Sequence, residues 1–361
     1  MWPYWLMFLL PTALALALGG GWLSPDSRLS RRIYRPTYGW LLIILALALY
    51  MGYRHQVGAD WGNYIGNFES QYRLSLWEVL TGGDPGYYLL NWWFVRNGGD
   101  IYAVNLVCGL IGAVGVAVFS RTQPRPWLAM AVAIPYLVNV VMMGYTRQGA
   151  ALGFGMIGLA ALLRERPRQF IIWALLAATF HKSAVVLLPL AVLARSRNRL
   201  VTWAGLAGIG LVAYWVFLQD HFHGLYRIYI EAEYQSAGAL VRLAMNGVPA
   251  AILLIWHRRF TLIENEQRIW RWVAILAVAL LLAYPFVPSS TALDRLGLFI
   301  IPLQLVVFSH LPDVFGRAGR NNIVWVLIVL LYYALVQFVW LNFATHAPAW
   351  LPYQFYPFVG S

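Results

Sequence analysis

Residues 175–190, LLAATFHKSAVVLLPL, set His181, Lys182 and Ser183 inside an otherwise apolar run. A base, a cation and a hydroxyl side by side can hold an anion or move a proton. Three arginines lie in similar surroundings: Arg147 in GYTRQGA, Arg242 in ALVRLAM and Arg295 in ALDRLG. Cations contributed by distant segments suit a diphosphate, whose oxygens accept several charge-assisted hydrogen bonds. Taken singly, each is as well explained by a side chain snorkelling toward water or by a local ion pair, such as Asp294 with a neighbouring arginine. Taken as a set, they point to an anion site with Arg147, Lys182 and Arg295 as its cations.

The carboxylates that could work beside them fall in one stretch, HQVGADWGNYIGNFESQYRLSLWEVLTGGDPGYYLLN, residues 55–91. Asp60 and Tyr64 are four apart and share a face if this part is helical. The Asp-Pro-Gly turn sets Asp84 just ahead of a Tyr-rich segment. A carboxylate near a membrane-embedded site can take a proton from an attacking hydroxyl. Asp60 fits equally as a helix N-cap or as the partner of Arg54. His181 is a second candidate base, since imidazole titrates near neutrality, or a hydrogen-bonded packing residue. Trp61, Tyr64, Tyr87 and Tyr88 offer rings to sugar faces or anchor the chain at a membrane interface. Asp84 and Arg227 complete the tentative glycan contacts. There is no HxxxH, no CxxC and no carboxylate cluster with ligand spacing, so neither a protein-held metal nor a cofactor is expected.

These residues must be positioned by membrane helices. Of 361 residues, 61% are apolar and 11% charged, where a soluble domain carries roughly a quarter charged. Apolar stretches at 3–22, 38–53, 101–120, 127–144, 148–163, 169–181, 183–194, 200–218, 240–256, 272–287, 296–311 and 323–343 predict an all-α polytopic protein of about 12 spans. The first, lacking a positive n-region, is read as a retained span. The loops at 24–36, 121–126, 164–168, 195–199, 257–271 and 316–320 hold 18 of the 26 Lys and Arg. Cationic loops resist translocation, so these face the cytoplasm. The formal charge of +12 is thereby explained without nucleic acid. Cys108, the single cysteine, lies in an apolar run, which excludes a disulfide framework.

The whole chain, 1–361, reads as one integral-membrane domain. Its longest extramembrane pieces, 54–100 and 219–239, face outward, and 86–97 is too short to span, which predicts an interfacial or re-entrant helix. Residues 168–195 have arginines at both ends and about 13 residues per arm, near 20 Å of helix against a hydrocarbon core of about 30 Å. They predict a short helical hairpin with FHKS at its tip. A lysine held there costs several kcal/mol unless it faces protein or water, so the tip faces an outward-opening polar cavity, or reaches water directly.

With DWGNY (60–64), DPGYYLL (84–90), TRQGAALG (146–153), FHKSA (180–184) and DRLGLF (294–299) in this order, the chain resembles the EpsG-like polysaccharide polymerases, within the wider Wzy-type O-antigen and exopolysaccharide group. The motifs spread over about 240 residues. Asp84 departs from the Glu more common in the family, and DRLGLF lacks the aromatic-rich form expected after the arginine. The resemblance implies a glycosyltransferase at the outer face of the bacterial plasma membrane. It would move a growing glycan from undecaprenyl diphosphate onto a new lipid-linked repeat unit, among membrane lipids and alongside a chain-length regulator. On that reading Arg147, Lys182 and Arg295 hold the donor diphosphate, and Asp60 or His181 serves the acceptor.

Three other classes compete. A lipid-glycan flippase or transporter should carry an inverted repeat and charges at both gates. A membrane acyltransferase needs a cytoplasmic acyl donor, whereas the unexplained charges here face outward. A metal-dependent glycosyltransferase would use an acidic pair such as Asp60 and Glu69, and would lose activity in EDTA.

Overall fold

The computed structural model describes residues 1–18, 37–195, 238–287 and 290–359, with a few isolated positions between them. The expected span 200–218, Arg227 and most of the loops 24–36, 195–199 and 219–239 lie outside the described residues.

The fold is helical, as the apolar composition predicts. Proline starts many of the helices: Pro85–Arg96, Pro126–Ala133, Pro167–Phe180, Pro189–Arg195 and Pro302–Phe315. Its missing N–H costs nothing in a first turn, and its fixed φ is already helical. Four helices are long and apolar enough to cross a membrane: Ile101–Ser120, Ala239–Arg259, Glu264–Phe286 and Ile323–Phe343. Ser290–Leu298 and Pro302–Phe315 would make a fifth span, bent by 55° at the break. Trp2–Ala17, Tyr38–Gly52, Pro126–Met142 and Lys182–Ala194 are apolar but shorter. The protein is therefore an all-α membrane protein, with four to five spans set by length and composition among the described residues. At 1.5 Å per residue the shorter helices fall below the roughly 30 Å hydrocarbon thickness, so length alone does not carry them across.

Small residues decide how closely the central helices pack. A Cβ on Gly115 would lie 2.3 Å from the Gly153 carbonyl oxygen, and one on Gly153 would lie 2.6 Å from that of Ile111. Only glycine permits this approach between Ile101–Ser120 and Thr146–Leu163, the usual device where helices pack without water to drive them together. Before Thr146 the backbone is π-wound over Ile134–Met142, a rare geometry that leaves carbonyls seeking partners. The Asn139 carbonyl finds one in the Trp350 indole N–H at 2.7 Å. Its side chain accepts from the Tyr50 hydroxyl at 3.1 Å and donates to Gln337 at 2.9 Å.

One charge feature differs from its topological reading. Arg125, expected only as a cytoplasmic loop cation, is buried and forks onto both Asp313 carboxylate oxygens at 2.9 and 2.8 Å. The aromatic, proline-rich C-terminal segment returns to the start of the chain's first long loop, where Gln354–Phe355 pairs antiparallel with Arg54–His55. Tyr4 donates to the Trp350 carbonyl, Tyr353 donates to that of Tyr50, and the Tyr356 ring stacks on Tyr102.

Candidate functional site

The site starts at a fully buried cation. Arg54 donates to the Met51 carbonyl at 2.5 Å, to that of Val57 at 3.3 Å and to Thr146 Oγ1 at 2.6 Å. It makes no ion pair among the described residues, so its role is to clamp the first outer segment to the first turn of Thr146–Leu163. That turn presents Arg147, whose Nη1 is 2.9 Å from Asp84 Oδ2. Asp84 is buried, immediately before the Pro85–Arg96 helix, and its other oxygen accepts the Lys182 backbone N–H at 3.3 Å. Burial pushes the Asp84 carboxyl above its ordinary range, and the Arg147 charge and the Lys182 N–H oppose that only in part.

The local sequences explain this approach. A Cβ on Gly86 would sit 2.4 Å from Thr179 Oγ1 and 3.0 Å from the Phe180 ring, so DPG closes onto the end of Pro167–Phe180 only with glycine there. The helix then ends at His181, whose extended backbone turns the chain. The second arm of the hairpin is not one α-helix. It runs as a 3-10 turn over Lys182–Leu187 and becomes helical again at Pro189–Arg195. Proline at 189 has no N–H to continue a helical ladder from the preceding turn.

His181 is the meeting point. The charges acting on its ring are those of Arg295, then Arg147, then Lys182. Its Nδ1 accepts the Ser183 backbone N–H at 3.3 Å, and its Nε2 faces Arg295 Nη1 at 3.5 Å. Arg295 is held from behind by Gln148, which donates to its backbone carbonyl at 3.0 Å. Arg147 and Lys182, whose segments are tied together through Asp84, also act electrostatically on the ring. The Ser183 backbone N–H and the Arg295 guanidinium can only donate, so each ring nitrogen faces a donor and the neutral ring accepts at one of them.

The remaining expected residues divide. Asp60 is half-buried, accepts from Asn63 Nδ2 at 3.3 Å and touches neither Arg54 nor its own helix N-terminus as a cap. It acts electrostatically on Tyr145, as do Arg242, Asp294 and Arg295, which sets it on the same side of the molecule. Tyr64 and Tyr87 are buried in edge contact, with the Arg147 guanidinium 5.9 Å from the Tyr87 ring centre. They floor the arginine and leave no open ring face for a sugar. Tyr88 is half-buried beside Gly82 and Gly83. Trp61 joins His55 and Tyr102 in the aromatic group under the C-terminal segment. Asp294 takes Arg242 in a two-pronged pair at 2.6 and 2.9 Å, an ion pair with an arginine 52 residues away and not with a neighbour in the chain. Arg227 lies outside the described residues. Sequence reading missed Thr146, Gln148 and Ser183 as positioning groups, although each directly adjoins or nearly adjoins a cation it had singled out. Among the described residues no three His, Cys, Asp or Glu side chains gather to hold a metal ion.

These features define a helical membrane protein with a cationic cluster drawn from three separate helical segments and braced by a carboxylate from its first long loop. A model of the EpsG family matches residues 37–355, and the chain belongs to that family. Membership points to polysaccharide polymerisation. No curated protein and no solved structure matches the chain.

Proposed function

We propose that the protein is a glycosyltransferase that polymerises undecaprenyl-diphosphate-linked repeat units at the outer face of the bacterial inner membrane. The observation that carries this reading is Arg295 set against His181 at 3.5 Å, beside Arg147 and the Lys182 turn, which share the Asp84 carboxylate. In the reaction, a hydroxyl of the acceptor repeat unit attacks the anomeric carbon of the donor glycan. The new C–O bond forms as the bond from that carbon to the diphosphate oxygen breaks, and the diphosphate leaves with the electron pair. Arg147, Lys182 and Arg295 stabilise the charge that develops there, without drawing on a resident metal. His181 can accept from Arg295 Nη1 at Nε2 and so hold that guanidinium at the leaving group, and we assign it to this positioning role and not to the base. The hydroxyl proton passes to Asp60, the half-buried carboxylate on the same side. Asp84 holds Arg147 and the Lys182 turn in place.

Deleting the gene and sizing surface polysaccharide on gels tests the reading. A ladder collapsed to a single repeat unit supports a polymerase; complete loss of surface glycan supports a flippase and overturns it. Arg147→Ala and Arg295→Ala, introduced separately, should each reproduce the single-unit phenotype with the protein still inserted. Normal long chains in both would remove the diphosphate assignment.

A further inference from the structure

An apolar groove of about 440 Å³ lies outside the His181 cluster, between the outer halves of Ala239–Trp256 and Ile323–Phe343. Its walls include Val241, Leu335, Val339 and Phe343, exposed by 64%, 57%, 47% and 72% on the flank of the helices. The stretch from Tyr332 to Phe343 is about 16 Å of helix, close to half of a roughly 30 Å hydrocarbon core. The groove therefore has the depth of one leaflet.

Its inner wall is not purely apolar. Tyr136, only 4% exposed, lines the groove, and its hydroxyl has no hydrogen-bond partner. The Trp340 indole N–H, also on the wall, is buried and equally unpartnered. Buried donors without acceptors are costly, and two on one wall mark a place where an oxygen ligand belongs. Beside them stands Arg242, and a smaller recess lined by Tyr136, Arg242, Asn246, Asp294 and Gly297 continues from that end. Tyr145 feels the charges of Arg242, Asp294 and Arg295 together, which sets this recess close to the cation cluster.

We infer that this groove binds the isoprenoid chain of the lipid-linked diphosphate substrate, with the Tyr136 and Trp340 donors at its head-group end. The inference rests on the proposed polymerase reading for the identity of the lipid. Nearness to the cation cluster selects this occupant over a bulk phospholipid. A phospholipid needs only the exposed flank, whereas a substrate must bring its diphosphate to Arg295.

The test uses the full chain in lipid nanodiscs with a farnesyl diphosphate carrying a photoreactive group at the chain end. Adducts mapped by mass spectrometry should fall on Val241, Leu335 or Val339, and unlabelled farnesyl diphosphate should compete where phosphatidylglycerol does not. Val339→Trp, which fills the groove, should cut labelling at least fivefold. Leu282→Trp, on a different lipid-facing surface, should leave it unchanged. Tyr136→Phe keeps the ring and should raise the competing concentration severalfold. Adducts scattered over the apolar belt, or competition by phosphatidylglycerol equal to that by farnesyl diphosphate, would overturn the inference, as would unchanged labelling in Val339→Trp. Unchanged competition in Tyr136→Phe would overturn the head-group placement. Polymerisation in cells, read separately, distinguishes the two claims: polymerising protein without groove adducts refutes the groove alone, and groove adducts without polymerisation refute the polymerase reading alone.

Discussion

Asp84 divides its carboxylate between two cation-bearing segments, giving one oxygen to the Arg147 guanidinium at 2.9 Å and the other to the Lys182 backbone N–H at 3.3 Å. One side chain from the first outer loop therefore sets the spacing of two helical segments. Hydrogen bonds to charged groups contribute about 1.5–3 kcal/mol each, so losing them should cost about tenfold or more in chain extension. Asp84→Ala should show that loss, measured as glycan length in complemented deletion cells. Asp84→Glu, the residue more common in the family, should retain most extension, because it keeps the charge and lengthens the reach. Equal activity in Asp84→Ala and the parent would show that the bridge does not matter.

The same carboxyl gives a pH prediction. Burial raises it above the ordinary value of 3.8, so folding shifts the balance toward the neutral form relative to the unfolded chain. Its stabilising contribution is complete below 3.8 and is lost as pH rises through the shifted value. Asp84→Asn should remove that component from the dependence of thermal unfolding on pH above 3.8 in detergent solution. A pH profile identical to the parent would place the titration elsewhere.

His181 separates a positioning role from a base. Asn at 181 can retain an acceptor near the Nδ1 position, and Gln can place an amide oxygen near the Nε2 position, where it accepts from Arg295. If the ring holds Arg295 at the leaving diphosphate, His181→Gln should keep far more activity than His181→Asn. The gap should approach a hundredfold, the scale on which single oxyanion donors act. Equal and complete loss in both, with the pH–rate profile losing a limb near neutrality, would restore the base assignment.

Arg54→Met should destabilise the protein without touching the cluster directly. It leaves the Met51 and Val57 carbonyls and Thr146 Oγ1 without their donor. Unsatisfied buried groups cost about 1–3 kcal/mol each, so a total near 3 kcal/mol or more is expected. Thermal unfolding in detergent measures it, and an unchanged midpoint would mean that the clamp is incidental.

Gly115→Ala tests the helix approach that carries Arg147 on its far end. The added Cβ would lie 2.3 Å from the Gly153 carbonyl oxygen, with backbone and not a flexible side chain in the way. Overpacking of this kind costs about 1–3 kcal/mol. Reduced midpoint and shortened glycan should appear together, whereas full stability would mean that the two helices can part freely.

The sequence alone determined the class and the suspects. A lysine or arginine inside an apolar run is costly, so Lys182, Arg147 and Arg295 could be singled out before any fold was known. The glycines and prolines of DPG, TRQGAALG and FHKSAVVLLP marked the close approaches and helix starts, because only those residues tolerate them.

Partners were a different matter. Asp84 lies 63 residues from Arg147 and 98 from Lys182 in the chain, and no local spacing links groups so far apart. The same holds for Trp350 on Asn139 and for Gln354–Phe355 beside Arg54–His55. Nor did apolar length count the spans, since helices of 14–18 residues read alike whether they cross, bend or end inside the protein. What an isolated side chain costs is written in its neighbours along the chain, whereas what satisfies that cost is chosen by packing. That is why the charges were legible from residue order, while Arg54 as a clamp, His181 against Arg295 and Tyr87 as a floor emerged only when the helices came together.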